Sequence, residues 1–353
     1  MNRPIMIMAG GTGGHVFPAL AVADYLNARE IPLLWLGTEK GLEARVVPDA
    51  GYRLLTLSIA GVRGKGLITI LIAPFKILFA VAQAMKIMMT HRPAAVLGMG
   101  GFASGPGGIA AWLMRIPLLI HEQNAIAGMT NRWLSKIATR VFEAFPGTFP
   151  EKRAAEHVGN PVRNSIINLT KQIKPHHEKR ILIVGGSLGA MTLNRVIPES
   201  LSQLSERPQI WHQTGQRDFE QTRNRYKELG IDARVDPFLD DIEQAYAWAD
   251  FVICRAGALT ISELAVAGLP AILVPYPYAV DDHQTANAHY LADAGAAIII
   301  QDRDLTKEKL TPMIEEWIST PDLISDMSAR AKKMAMTDAA EKVARSLMEV
   351  AYG

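Results

Sequence analysis

The sequence predicts an α/β protein built of two Rossmann-like halves, each a parallel sheet covered by helices. Three observations predict it. Short β-rich apolar runs alternate along the chain with longer segments of helical period, the pattern of βα units that assemble parallel sheets. A strand that runs into a glycine turn and then a helix occurs twice, as Ile5-Met6-Ile7-Met8-Ala9-Gly10-Gly11-Thr12-Gly13-Gly14-His15 and as Ile181-Leu182-Ile183-Val184-Gly185-Gly186-Ser187-Leu188-Gly189-Ala190. The length of 353 residues suits two domains at about 150 residues each.

In the first half the expected strands are Ile5–Ala9, Leu33–Gly37, Ala94–Gly98, Leu118–His121 and Arg140–Glu143. In the second they are Arg180–Gly185, Gln209–Gln213, Phe251–Cys254, Ala271–Pro275 and Ala297–Ile300. Ala19, Leu20, Ala23 and Leu26 follow the first strand at helical spacing, as Leu193, Val196, Ile197 and Leu201 follow the strand that opens the second half. Gly159 and Pro161 mark a connection between the halves, which places the domains at 1–160 and 161–336.

Composition narrows the function. Hydrophobic residues make up 49% and charged residues 20%, an ordinary globular balance, and a formal net charge of +2 gives no global field that favours nucleic acid. The single cysteine, Cys254, lies in an apolar run that reads as a buried strand, so neither a disulfide framework nor a cysteine-based metal site is expected. The apolar stretch near the start is too short for a signal peptide, and no export is expected. The most hydrophobic window, Leu67 to Met89, is interrupted by Pro74, Lys76, Gln83 and Lys86 and is not expected to span a bilayer. Its Ile68, Leu71, Ile72, Phe75, Leu78 and Phe79 recur at roughly helical spacing beside Lys76, as expected of a surface that dips into anionic lipid.

The chemistry-bearing residues gather where strands end, which is where α/β proteins assemble their sites. Paired glycine turns bring backbone N–H groups close to a ligand. His15 follows the first turn directly, and imidazole is the side chain suited to accept a proton near neutral pH. His121-Glu122-Gln123-Asn124 follows the fourth strand. Arg255-Ala256-Gly257-Ala258-Leu259-Thr260-Ile261-Ser262-Glu263 opens a helix. There, Thr260 and Glu263 have the spacing of a capping box, while the same helix start could instead hold a diphosphate with Glu263 accepting from ribose hydroxyls. Gln284 lies in a polar loop with hydrogen-bonding groups for a sugar, and Asp302-Arg303-Asp304 reads as a polar turn rather than a metal site. The strand Leu33–Gly37 lacks the ribose-binding acid of a dinucleotide fold, which weighs against a nicotinamide-dependent oxidoreductase.

Taken together, these motifs, with Gly98-Met99-Gly100-Gly101-Phe102-Ala103-Ser104-Gly105-Pro106 and Gly159-Asn160-Pro161-Val162-Arg163, closely resemble the MurG family of bacterial glycosyltransferases almost end to end. The resemblance implies a GT-B fold, two Rossmann-like domains facing across a cleft, with the last helix, 337–353, packed back on the first domain. It implies an inverting transferase that moves N-acetylglucosamine from UDP-N-acetylglucosamine to the 4-hydroxyl of undecaprenyl-diphosphate-linked N-acetylmuramoyl-pentapeptide, turning lipid I into lipid II for peptidoglycan synthesis. The first domain would take the lipid-linked acceptor and the second the nucleotide sugar, on the cytoplasmic face of the bacterial inner membrane, with no cofactor and no divalent cation held by the protein. Matching motifs place donor contacts at Thr12, Gly13, Gly14, Asn124, Arg163, Ser187, Leu239, Ala258, Leu259, Thr260, Ile261, Ser262, Glu263 and Gln284, with His15 as the base. A non-hydrolysing UDP-N-acetylglucosamine epimerase is the nearest rival, and a non-catalytic membrane-binding module is a third possibility.

Overall fold

The apolar runs pair as parallel strands in two separate sheets. The computed structural model describes residues 3–58, 67–169, 178–186 and 189–353, with backbone alone at 67–73 and 280. The first sheet contains β1 (Ile5–Met8), β2 (Leu33–Thr38), β3 (Leu54–Leu57), β4 (Ala95–Gly98), β5 (Leu118–Glu122), β6 (Arg140–Glu143) and β7 (Glu156–His157), in the order β3-β2-β1-β4-β5-β6-β7. The second contains β8 (Arg180–Val184), β9 (Gln209–Gln213), β10 (Arg234–Asp236), β11 (Phe251–Cys254), β12 (Ala271–Leu273) and β13 (Ala297–Ile299), in the order β10-β9-β8-β11-β12-β13.

Central strands are apolar throughout because helices cover both faces of each sheet. Ile5 and Ile7 join the core that contains Val16, Leu20 and Leu26 of the Gly13–Asn27 helix, whereas Met6 and Met8 join the opposite core with Val81 and Ala110. Alternate residues of one strand therefore hold down helices on opposite sides. The edge strands β3, β7 and β10 were not expected from the sequence. All are short and only partly buried, and β7 and β10 are polar in sequence, whereas the leucines of β3 span only four residues.

The chain divides into two compact units, residues 1–163 with 337–353, and residues 164–336. The boundary falls after Arg163 rather than after Asn160, because Val162 is buried and the Arg163 guanidinium lies 5.2 Å over the Phe17 ring of the first unit. The C-terminal Ala339–Tyr352 helix buries Val343, Ala344 and Leu347 in the first unit's core. Arg140 Nη1 donates to Ser346 Oγ at 2.7 Å and to Glu349 Oε2 at 2.8 Å, fixing that helix beside β6. Among the described residues, no helix is long and apolar enough to cross a membrane.

Candidate active site

Strand order reverses at β1/β4 in the first unit and at β8/β11 in the second, and the loops that leave such strands diverge to leave a crevice. The sequence-predicted residues occupy these two switch points. In the first unit, the loop after β1 meets the loop after β4. Gly101, at φ +83°, lies so close that a Cβ there would strike the Gly10 carbonyl. Ser104 Oγ, fully buried, accepts from Gly100 N at 3.1 Å and lies 2.9 Å from the Met8 carbonyl, tying the two loops together.

His15 sits in the first turn of the Gly13–Asn27 helix, whose N-cap Thr12 makes no side-chain capping bond. Its Nδ1 lies 2.9 Å from Gln123 Oε1, and a Cβ on Gly100 would come within 2.7 Å of that nitrogen. The β1 loop is fixed at two backbone groups. Trp35 Nε1 donates to the Ala9 carbonyl at 2.9 Å, and the fully buried Glu43 carboxylate accepts from Gly11 N at 2.8 Å. The other Glu43 oxygen accepts from Thr38 N at 2.9 Å and Thr38 Oγ1 at 2.7 Å. Glu43 therefore occupies Gly11 N–H with a protein carboxylate, which makes this turn unlike a dinucleotide phosphate cradle. Thr12 and Gly14 are exposed and Gly13 is half-buried.

The polar run at the end of β5 turns three of its four side chains inward. His121, Glu122 and Gln123 are buried, and Glu122 accepts from Asn124 N and Nδ2 with one oxygen and from Gly128 N and Asn131 Nδ2 with the other. Buried polar groups survive only when satisfied in this way. Burial lowers the His121 imidazole to about 4, against smaller opposing effects from the Gly159 carbonyl and Glu122, so the ring is neutral. Asn124 is half-buried and oriented by Glu122, and Arg163 is half-buried over Phe17.

In the second unit, the helix after β11 starts at Ala258 with Gly257 as its N-cap and no side-chain cap. The capping-box reading of Thr260 and Glu263 is thereby overturned. Thr260 is the third residue of the helix and Glu263 the sixth, whereas a capping box needs the threonine at the N-cap and the glutamate at the third position. Glu263 is buried and accepts from the Tyr246 hydroxyl at 3.1 Å. Leu259 and Thr260 are half-exposed, Ser262 Oγ donates to the Ala258 carbonyl, and Ile261 is fully buried, so its side chain supports the helix from the core side. Ala258 is buried too, leaving backbone as its means of contact.

Gln284 Oε1 accepts from Ala256 N at 3.2 Å and Tyr276 N at 2.9 Å, stitching the loop after β11 to the loop after β12. Gln213, which nothing in its local sequence distinguishes, does the same for the glycine turn. Its Oε1 accepts from Gly186 N and its Nε2 donates to the carbonyls of Gly186 and Pro237, next to the half-buried Leu239. Ser187 lies outside the described residues. Asp302 pairs with Arg255 and accepts from Thr192 Oγ1, which accounts for the Asp302-Arg303-Asp304 segment as a structural tie. Among the described residues, no group of three or more His, Cys, Asp or Glu side chains could hold a metal ion.

Two Rossmann-like units, each with a glycine turn at its switch point, make the architecture of the GT-B class. Two models of glycosyltransferase family 28 match, that of the N-terminal domain over residues 5–143 and that of the C-terminal domain over 180–343. The chain is 53% identical over 352 residues to a protein of Methylococcus capsulatus, covering 99% of each, and 51% identical over 355 residues to one of Nitrosococcus oceani, again covering 99% of each. Both bear the name UDP-N-acetylglucosamine--N-acetylmuramyl-(pentapeptide) pyrophosphoryl-undecaprenol N-acetylglucosamine transferase. Among solved structures it is similar to Acinetobacter baumannii MurG, at 43% identity and a TM-score of 0.85, covering 98% of this chain and 99% of that one. The chain belongs to glycosyltransferase family 28 and, within it, to the MurG family. A UDP-GlcNAc 2-epimerase from Neisseria meningitidis shares the fold at a TM-score of 0.70 with 12% identity, a likeness of architecture alone.

Proposed function

We propose that this chain transfers N-acetylglucosamine from UDP-N-acetylglucosamine to the 4-hydroxyl of undecaprenyl-diphosphate-linked N-acetylmuramoyl-pentapeptide, converting lipid I to lipid II with inversion at the anomeric carbon. The observation that carries it is 53% identity over 352 residues to a relative that bears the name of that transferase. In the reaction a base takes the proton of the acceptor hydroxyl, the oxygen attacks the anomeric carbon, and the bond to UDP breaks with its electron pair leaving on the diphosphate.

His15 is the base in this account. Support comes from its seat at the first unit's switch point and from a ring nitrogen held by Gln123. The second unit takes the donor. An N-terminus without a side-chain cap at Ala258–Thr260 suits the charge that develops on the departing diphosphate, and Glu263 suits ribose hydroxyls. Thr12, Gly13, Gly14, Asn124, Arg163, Ser187, Leu239, Leu259, Ile261, Ser262 and Gln284 complete the proposed donor contacts, Ile261 and Ala258 through backbone. No protein-held cation takes part in this scheme.

We assign attachment to the cytoplasmic face of the bacterial inner membrane to the Leu67–His91 helix. Its C-terminal half packs Ala80, Val81, Ala84 and Met88 into the core, while Phe75, Leu78 and Phe79 are 73%, 68% and 61% exposed beside exposed Lys76. Apolar side chains flanked by lysine suit an anionic lipid surface. Ile68, Leu71 and Ile72 belong to the same proposed patch, although their side chains lie outside the described set. Incubation with radiolabelled UDP-N-acetylglucosamine and a lipid I analogue tests the activity. Label is expected in the lipid product, and label that stays with the nucleotide overturns the assignment.

A further inference from the structure

From the hydrogen bonds beneath His15 we infer that Gln123 and His121 are positioning residues that lock the His15 imidazole in its Nδ1–H form and so reserve Nε2 as the ring's proton acceptor. The inference rests on the reading of His15 as the base. It begins at a group whose role is unambiguous. His121 Nε2 lies 2.9 Å from the Gly159 carbonyl, which can only accept, so His121 carries its proton on Nε2. Because this fully buried ring is neutral, its Nδ1 bears a lone pair. Gln123 Nε2 lies 3.1 Å from that Nδ1 and 3.2 Å from the His121 carbonyl, and both require a donor. The amide NH₂ therefore faces His121 and its oxygen faces His15. At 2.9 Å from that oxygen, His15 Nδ1 must donate. A neutral His15 is then left with a single basic nitrogen, Nε2.

Two further contacts keep the chain of bonds from rotating. Asn160 Nδ2 donates to the Gln123 carbonyl at 3.1 Å, and Asn131 Nδ2 donates to the His121 carbonyl at 3.0 Å. Gln123 is 1% exposed, so water cannot easily replace either partner of its amide. On the other side, Gly100 at φ +101° lies against the His15 ring, where a Cβ would strike it. The ring is confined from two directions and its proton is assigned from one. A base that must act through one particular nitrogen gains from such control, since the wrong tautomer presents an N–H where a lone pair is required.

The direct test is ¹⁵N nuclear magnetic resonance of the imidazole groups in the full chain, without substrate. The wild type is expected to show His15 protonated on Nδ1 and bare on Nε2, and His121 the reverse. His15 found with its proton on Nε2 overturns the inference, whatever His15 does in catalysis. Kinetics supply a second arm. Gln123→Leu is expected to mix the His15 tautomers and lower kcat about ten- to a hundredfold, with the KM for UDP-N-acetylglucosamine unchanged. The same resonance measurement on Gln123→Leu is expected to show both His15 tautomers. An unchanged Nδ1–H form in that variant, or a wild-type kcat, contradicts a positioning role. Failure of the base reading itself shows differently, as normal turnover in His15→Ala.

Discussion

Replacing Glu43 by glutamine exchanges one buried oxygen for an amide group, and the structure says which oxygen that is. One carboxylate oxygen receives two donors, Thr38 N and Thr38 Oγ1, while among the described residues the other receives Gly11 N alone. Glutamine keeps its single oxygen where two donors point, so its NH₂ turns toward Gly11 N–H. One hydrogen bond to a carboxylate is lost and two donors are left face to face, on a side chain that is 0% exposed. Such a bond contributes roughly 1.5–3 kcal/mol, so about 2 kcal/mol of the first unit's stability is expected to go. For a unit of this size that is a fall in Tm of about 4–8 °C. Glu43→Ala also strands Thr38 N–H and opens a cavity, and its cost rises to about 3–5 kcal/mol. Scanning calorimetry resolves the result, since the first unit's transition should move while the second unit's stays. A Glu43→Gln protein that unfolds at the wild-type temperature refutes the claim that this carboxylate holds the first glycine turn.

Other consequences are read in separate assays. Glu263→Gln keeps the residue's volume and an acceptor for Tyr246, yet is expected to weaken UDP binding about tenfold by calorimetry; unchanged affinity removes Glu263 from the donor site. Acid should destabilise the protein through two buried histidines, His121 lowered to about 4 and His212 to about 3, both mainly by burial. Unfolded histidines titrate near 6.5, so the unfolded chain binds the extra protons below that pH. Their contribution is complete above pH 6.5 and is lost as pH falls through the window, about 2 kcal/mol per histidine by pH 5. Urea midpoints at pH 7.5 and pH 5 check this, and equal midpoints contradict it. Phe75→Glu with Phe79→Glu should abolish binding to anionic vesicles and leave UDP affinity intact; undiminished vesicle binding rules out the Leu67–His91 helix as the attachment surface.

Much of this architecture is legible in the sequence because burial on both faces turns central strands into unbroken apolar runs. Edge strands such as β10, with Arg234 and Asp236 in it, carry no such mark. The glycine turns and His15 are also visible, being local patterns. What holds them is not. Gln123 reaches His15 across 108 residues of sequence, and Glu43 reaches Gly11 across 32, contacts that only the folded sheet creates. Local pattern misleads where its phase is wrong, as with Thr260 and Glu263, whose capping spacing falls one turn inside a helix that Gly257 begins. The run His121 to Asn124 likewise contains more scaffold than site, because three of its four side chains turn inward.

The reaction itself can be followed by nuclear magnetic resonance with UDP-N-acetylglucosamine, a lipid I analogue and the purified chain. UDP should accumulate in step with a new β-linked N-acetylglucosamine on the muramoyl sugar, and neither should form when the acceptor is omitted. Donor turnover without acceptor, or an α-linked product, contradicts an inverting transfer to the lipid-linked sugar.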